Sequence, residues 1–205
     1  MISNTTNVNL MKEARLSLSE EGKWGLAIGA TAICIAIYIS VNVIPVIGFI
    51  ISFILIPQIM VGQSIFYLSI ARHQDAMLDQ LFETLLNGSR FGTIIGSYFL
   101  MSLLIFLGFL LLIIPGIILA YGFSMTYFIL AENKEIGSID ALKKSYSIMA
   151  GNKFKFFCLN LRFIGWGLLS LLTMGIGFLW LIPYINTSHA KFYNDIKEDL
   201  DIVQE

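Results

Sequence analysis

Charge is what this sequence has least of. Asp, Glu, Lys and Arg make up 13% of its 205 residues, where a soluble domain averages about 25%. With hydrophobic residues at 57%, too few charges remain to cover a water-facing surface. Histidine and cysteine are equally scarce, two of each. Cys34 and Cys158 both sit inside apolar runs and read as small hydrophobes, not as a disulfide framework. His73 and His189 are far apart in sequence. His73 shares a loop with Asp75, but a metal there lacks further ligands. The formal net charge of −1 and the want of a concentrated basic face exclude nucleic acid as a partner. There is no His-Glu-x-x-His, no Gly-x-Ser-x-Gly, no phosphate loop and no paired cysteines. Catalytic, cofactor-binding and metal residues are therefore expected to be none, and the protein is expected not to be an enzyme.

What is there is three long apolar blocks. Residues 24–71 and 91–131 contain no charged side chain, and residues 156–190 contain only Arg162. As one helix the first block would be about 72 Å long, against a hydrocarbon core of about 30 Å. Each block should therefore cross twice, and each holds a break near its middle. These are Pro45 to Gly48, Pro115-Gly116, and Gly175 to Gly177, residues that end helices and suit tight turns. The expected architecture is all-α, a polytopic membrane bundle of about six transmembrane helices near 24–44, 48–71, 92–113, 116–131, 156–173 and 177–193. The fourth is short for a full crossing. The whole of 1–205 reads as one membrane domain of hairpins 24–71, 91–131 and 156–193. Amphipathic or loop segments fill 1–23, 72–90 and 132–155, with a short tail at 194–205. No cleavable signal pattern precedes the first apolar run, which is expected to stay in the mature protein.

Lys and Arg other than Arg162 fall before, between and after the blocks, never at the hairpin tips. The positive-inside rule then puts the loops and both termini in the cytoplasm. The blocks also share an order of features. Gly22-Lys23-Trp24, Gly88-Ser89-Arg90-Phe91 and Gly151-Asn152-Lys153-Phe154 each open with glycine, a basic residue and an aromatic. Leu55-Ile56-Pro57 recurs as Leu181-Ile182-Pro183, with Phe-Tyr following at the same offset, Phe66-Tyr67 and Phe192-Tyr193. The pattern is that of a helical hairpin repeated three times in parallel. Ahead of the blocks, residues 138–150 place Ile139, Leu142, Tyr146 and Met149 at helical spacing. Residues 75–86 do the same with Met77, Leu78, Leu81, Leu85 and Leu86, and residues 10–18 do so weakly. Such segments form either interfacial amphipathic helices or ordinary helices packed on their neighbours.

The C-terminal half carries a set of short motifs. They run from Ile114-Pro115-Gly116 and Ser124-Met125-Thr126-Tyr127 through Leu130-Ala131-Glu132. Met149-Ala150-Gly151-Asn152-Lys153, Phe163-Ile164-Gly165-Trp166, Pro183-Tyr184 and Ala190-Lys191-Phe192-Tyr193 complete the set. Over residues 112–193 this resembles the bacterial integral-membrane family catalogued as domain of unknown function nine-seven-five. The resemblance implies a six-helix protein of the bacterial cytoplasmic membrane, and it brings no activity and no catalytic residue.

Candidate contacts are few. Arg162 lies inside a span, where a charge either marks a ligand or ion site or snorkels to the interface. The second helix of each hairpin is the more polar, with Gln63, Tyr127, Asn186 and His189 its notable members. Such groups hydrogen-bond between helices or line a cavity. Gly25-x-x-x-Gly29 and Gly92-x-x-x-Gly96 are expected to pack repeats within the chain. The expected partners are membrane lipids, and a hydrophobic peptide or another membrane protein. The expected function is a non-enzymatic membrane protein that binds one of these. The alternative is a small transporter or channel, whose usual mark of intramembrane acidic residues is missing.

Overall fold

The computed structural model describes residues 5–20, 22–43, 45–88 and 90–204, and among them there is no β-strand. Helix α1 (Asn7–Ser19) starts where the Thr6 side chain accepts from the Asn9 N–H, a conventional N-cap. Gly22, at φ 76°, turns the chain into α2 (Lys23–Val41). Helix α3 (Pro45–Ala71) begins on a proline, which at the first helical position forfeits no bond. A 3₁₀ turn (Leu78–Leu81) and the short α4 (Glu83–Asn87) lead into α5 (Phe91–Leu111). Then follow α6 (Ile113–Gly122), α7 (Thr126–Glu132), α8 (Ser138–Ile148), α9 (Lys153–Leu172) and α10 (Phe178–Gln204).

Helix α2 packs on α3, α5 on α6 and α9 on α10, with glycines where two of these pairs approach closely. A Cβ on Gly48 would stand 2.1 Å from the Val41 carbonyl oxygen, and one on Gly108 would stand 3.0 Å from the Gly116 Cα. Pro115 sits inside the first turn of α6 rather than in a gap, because Leu112 in extended conformation already breaks the chain. The third tip is made by Met174 and Gly175, both at positive φ.

Five stretches are long and apolar enough to cross a membrane, Lys23–Val41, Ile51–Ala71, Phe91–Leu111, Ile113–Glu132 and Lys153–Leu172. The expected sixth corresponds to α10, which is long enough but carries Lys191, Asp195 and Lys197 along its second half. The tail beyond residue 193 is a continuation of this helix to Gln204, not a loop. The fourth expected helix is interrupted at Phe123–Met125. Ser124 Oγ and Thr126 Oγ1 donate to the carbonyls of Tyr121 and Phe123, competing with the helical ladder. The freed backbone is satisfied from outside. Ser145 of α8 donates to the Gly122 carbonyl at 2.9 Å and accepts from the Met125 N–H at 3.2 Å.

The second arm of the hairpins forms the interior, as their polarity implied. Half of the most apolar window of Ile51–Ala71 is buried and 39% of that of Ile113–Glu132, against 17% for α2 and α5 and 22% for α9. Helices α7 and α10 each pack on α3, and α7 meets α10 where Phe128 stacks on Tyr193, with Phe66, Tyr67, Ile129, Leu130, Phe192 and Tyr193 in the core. Helix α8 is packed on α5 and α7, but through Ala141, Leu142, Ser145 and Ile148. Of the apolar face at Ile139, Leu142, Tyr146 and Met149, Leu142 and Met149 are buried while Ile139 and Tyr146 are exposed. Gly25 and Gly29 have open space where a Cβ would sit, so they do not hold repeats together.

Candidate functional site

The segments flanking the apolar blocks gather at one end of the bundle. Asn7 of α1 donates to the Lys155 carbonyl, and Thr5 bonds Asp195. Arg72, just past α3, meets Glu132 at the end of α7 at 2.6 Å, and Lys197 of α10 meets the same carboxylate at 2.8 Å. The Tyr193 hydroxyl donates to the other oxygen of Glu132 at 2.8 Å. His73 Nδ1 contacts Glu20 at 2.8 Å. That bond, and then Lys23, hold the Glu20 carboxyl below its ordinary pKa. These pairs tie the ends of α1, α3, α7 and α10 together and leave their partners no charge to spare for a ligand.

A wide groove lies on the other side of α1. It has a volume of about 590 Å³ and is walled by Trp166, Leu169 and Ser170 of α9, by Thr173 just past its end and by Trp24 of α2. Trp180, Leu181 and Tyr184 of α10, with Gly177 just before it, form its floor, and Met11 and Arg15 of α1 close its charged end. A volume of that size fits a small-molecule or acyl ligand. Its shape follows from local sequence. On α9, Trp166, Leu169 and Thr173 recur at i, i+3 and i+7, one helical face. On α1, Met11 and Arg15 are one turn apart. All three tryptophans of the chain line this one groove. Trp166 and Trp180 keep 57% and 51% of their surface exposed, where tryptophans in a packed core would be covered.

The five side chains singled out in the sequence do not share one cavity. Gln63 and Cys34 both line a smaller gap of about 140 Å³ between α2 and α3. One turn away, the Tyr67 hydroxyl shares a hydrogen bond with Thr31 at 3.1 Å, with Asn186 close by. His189 is turned the other way, its Nε2 3.0 Å from the Asn160 oxygen and its ring 4.7 Å from that of Phe156. Tyr127 has a buried hydroxyl that meets no partner among the described residues. For His189, interhelical hydrogen bonding is the role the geometry gives.

Arg162 is exposed on α9. It lies one turn before Trp166, on the face that walls the groove, about 14 Å from the start of α9 along its axis. Sequence reasoning found this residue but missed the groove. The lining comes from four helices spread over residues 11–184, and no local spacing links them.

Among the described residues no group of three or more His, Cys, Asp or Glu stands together as a metal site. No curated protein and no solved structure matches the chain. Residues 93–199, more than half of the chain and spanning α5 to most of α10, match the family described as Protein of unknown function (DUF975), and the chain belongs to that family.

Proposed function

We propose that this is a multi-pass protein of the bacterial cytoplasmic membrane that catalyses no reaction and works by holding a hydrophobic or amphipathic ligand in the tryptophan-lined groove. In this reading α10 is the sixth crossing, the bundle is a triplicated hairpin, and the charged end with both termini faces the cytoplasm. The observation that carries it is the convergence of Trp24, Trp166 and Trp180 on one open groove. Aromatic and aliphatic walls with few polar groups suit an apolar ligand. The motifs shared with the family run through two of the groove's walls, Phe163 to Trp166 and Pro183-Tyr184.

Every tryptophan lines the groove, so occupancy is readable by energy transfer from tryptophan to a dansylated acyl probe added to the purified protein. Transfer is expected to saturate, to be competed by unlabelled probe, and to weaken in Leu169→Phe, which narrows the groove at an exposed position. Transfer that rises without saturation and equally in the variant would overturn the binding reading.

The transporter alternative is favoured by one feature, the break between α6 and α7, since interrupted helices line many transport sites. Here Ser145 already engages the Gly122 carbonyl and the Met125 N–H, so neither is open to a substrate. Solute flux through the protein in liposomes would put the alternative in first place.

A further inference from the structure

The groove has an apolar length and a cationic mouth. Below the mouth its lining is Trp, Leu, Met and Gly, with the hydroxyls of Ser170, Thr173 and Tyr184. Two of these hydroxyls are already committed, Ser170 donating to the Trp166 carbonyl and Thr173 to that of Ser170. The stretch of α10 from Phe178 to Tyr184 alone extends about 9 Å along the axis. At the charged end stands Arg15, exposed, on the turn of α1 that closes the groove. Arg162 is not among the lining residues but stands just beyond them, exposed one turn before Trp166 on α9 and, by helical spacing, on the same face. Neither guanidinium has an ion pair or a hydrogen-bond acceptor among the described residues, whereas Arg72, Lys23, Lys134, Lys155 and Lys197 are all paired.

An unpaired arginine within a span is costly unless it finds an anion or water. Its stem can lie along apolar surface while the head rises toward the interface. A guanidinium there offers a planar fork of donors suited to a phosphate. The groove also opens sideways, with Trp166, Leu169 and Trp180 exposed on the flank that lipid would cover. A molecule that enters from that side, with an apolar chain and a phosphate at the interface, is a phospholipid.

We propose that the groove holds one acyl chain of an anionic phospholipid, with its phosphate headgroup taken by Arg15 and Arg162. This rests on the ligand-binding reading above and adds the class of ligand and the residues that select it. Arg162, the lone charge in its apolar block, then has a reason to sit there. It and Arg15 approach the headgroup from two helices.

The test uses the full chain in phosphatidylcholine nanodiscs containing a minority of phosphatidylglycerol. In one sample only the phosphatidylglycerol is brominated on its acyl chain. In the other an equal fraction of the phosphatidylcholine is brominated instead. Bromine quenches tryptophan on contact, and all the tryptophans report on the groove. The wild-type protein is expected to be quenched preferentially by the brominated anionic lipid. The preference should fall about fivefold for each of Arg15→Gln and Arg162→Gln, the effect of one basic residue at an anionic surface. The Arg15→Lys/Arg162→Lys protein should keep most of it, which separates loss of charge from loss of fold. Equal quenching by both lipids in wild type would overturn the headgroup assignment while leaving the acyl-binding reading standing, and it needs no variant. A preference that survives both glutamines would overturn the assignment to these arginines. A groove closed to the dansylated probe in detergent would remove the reading beneath both.

Discussion

At the scale of single residues, the charged side chains divide into those that hold the fold and those left over. Glu132 belongs to the first kind. It receives Arg72, Lys197 and Tyr193 at once and keeps only 17% of its side chain exposed. Removing one member of a fully buried pair costs about 3–5 kcal/mol, and an exposed pair is worth at most about 1 kcal/mol. This half-buried cluster should fall between. Glu132→Gln is expected to destabilise by about 1–3 kcal/mol, at about 2–4 °C of Tm per kcal/mol for a chain of this size. Thermal unfolding in detergent checks it, and an unchanged Tm would reduce the cluster to ordinary surface ion pairs. The sequence held Glu132 within a family motif but gave no sign that Arg72, sixty residues earlier, would meet it. Arg162 was visible at once, because one charge in an apolar block stands out without any structure.

At the scale of elements, hydropathy located the hairpins closely but could not see inside them. The break expected at Pro115-Gly116 falls at Leu112, which is extended between α5 and α6, and a second interruption that the sequence did not announce follows at Phe123–Met125, where Ser124 and Thr126 turn their hydroxyls onto the backbone. Irregular backbone at membrane depth survives only when other protein groups satisfy it. Here the Ser145 hydroxyl does so twice. Ser145→Ala should therefore strand the Gly122 carbonyl and the Met125 N–H, each worth about 1–3 kcal/mol when left unpaired. The expected signs are a lower Tm and faster hydrogen exchange at Met125 and its neighbours. Exchange as slow as in wild type would show that water or a relaxed helix can replace the serine. The same serine sits beside Leu142 and Met149 on the buried side of α8, so the packed face there carries a specific bond pair as well as apolar contact.

At the scale of the whole molecule, ion pairs from four segments collect at one end, and the hairpin tips at the other carry no Lys or Arg. The proposed orientation puts the charged end in the cytoplasm. Met174→Cys, at the third tip and 95% exposed, should then react with a membrane-impermeant maleimide in intact cells. Lys143→Cys, on α8, should react only after permeabilisation. The reverse pattern would invert the protein. The burial contrast between first and second arms also gives the bundle an inside and an outside. The polar second arms, α3 and α7 with α10, take the centre, where hydrogen bonds such as Tyr67 to Thr31 and His189 to Asn160 replace contact with lipid.

The sequence by itself determined the membrane class, the hairpins and the segregation of charge. These depend on sums over many residues, the length of apolar runs and the placement of lysine and arginine, which no folded detail can reverse. It also determined which helices would be buried, because polar groups avoid lipid. Only the tertiary structure decided where the groove lies. Met11, Arg15, Trp24, Trp166, Trp180 and Tyr184 come from four helices and share no spacing, so their meeting depends on how α1 crosses α9 and α10. It likewise decided that Glu132 is an ion-pair hub and that Ser145 completes a broken helix. Long-range pairings of this kind are fixed by packing geometry, and a chain read residue by residue contains no term for it.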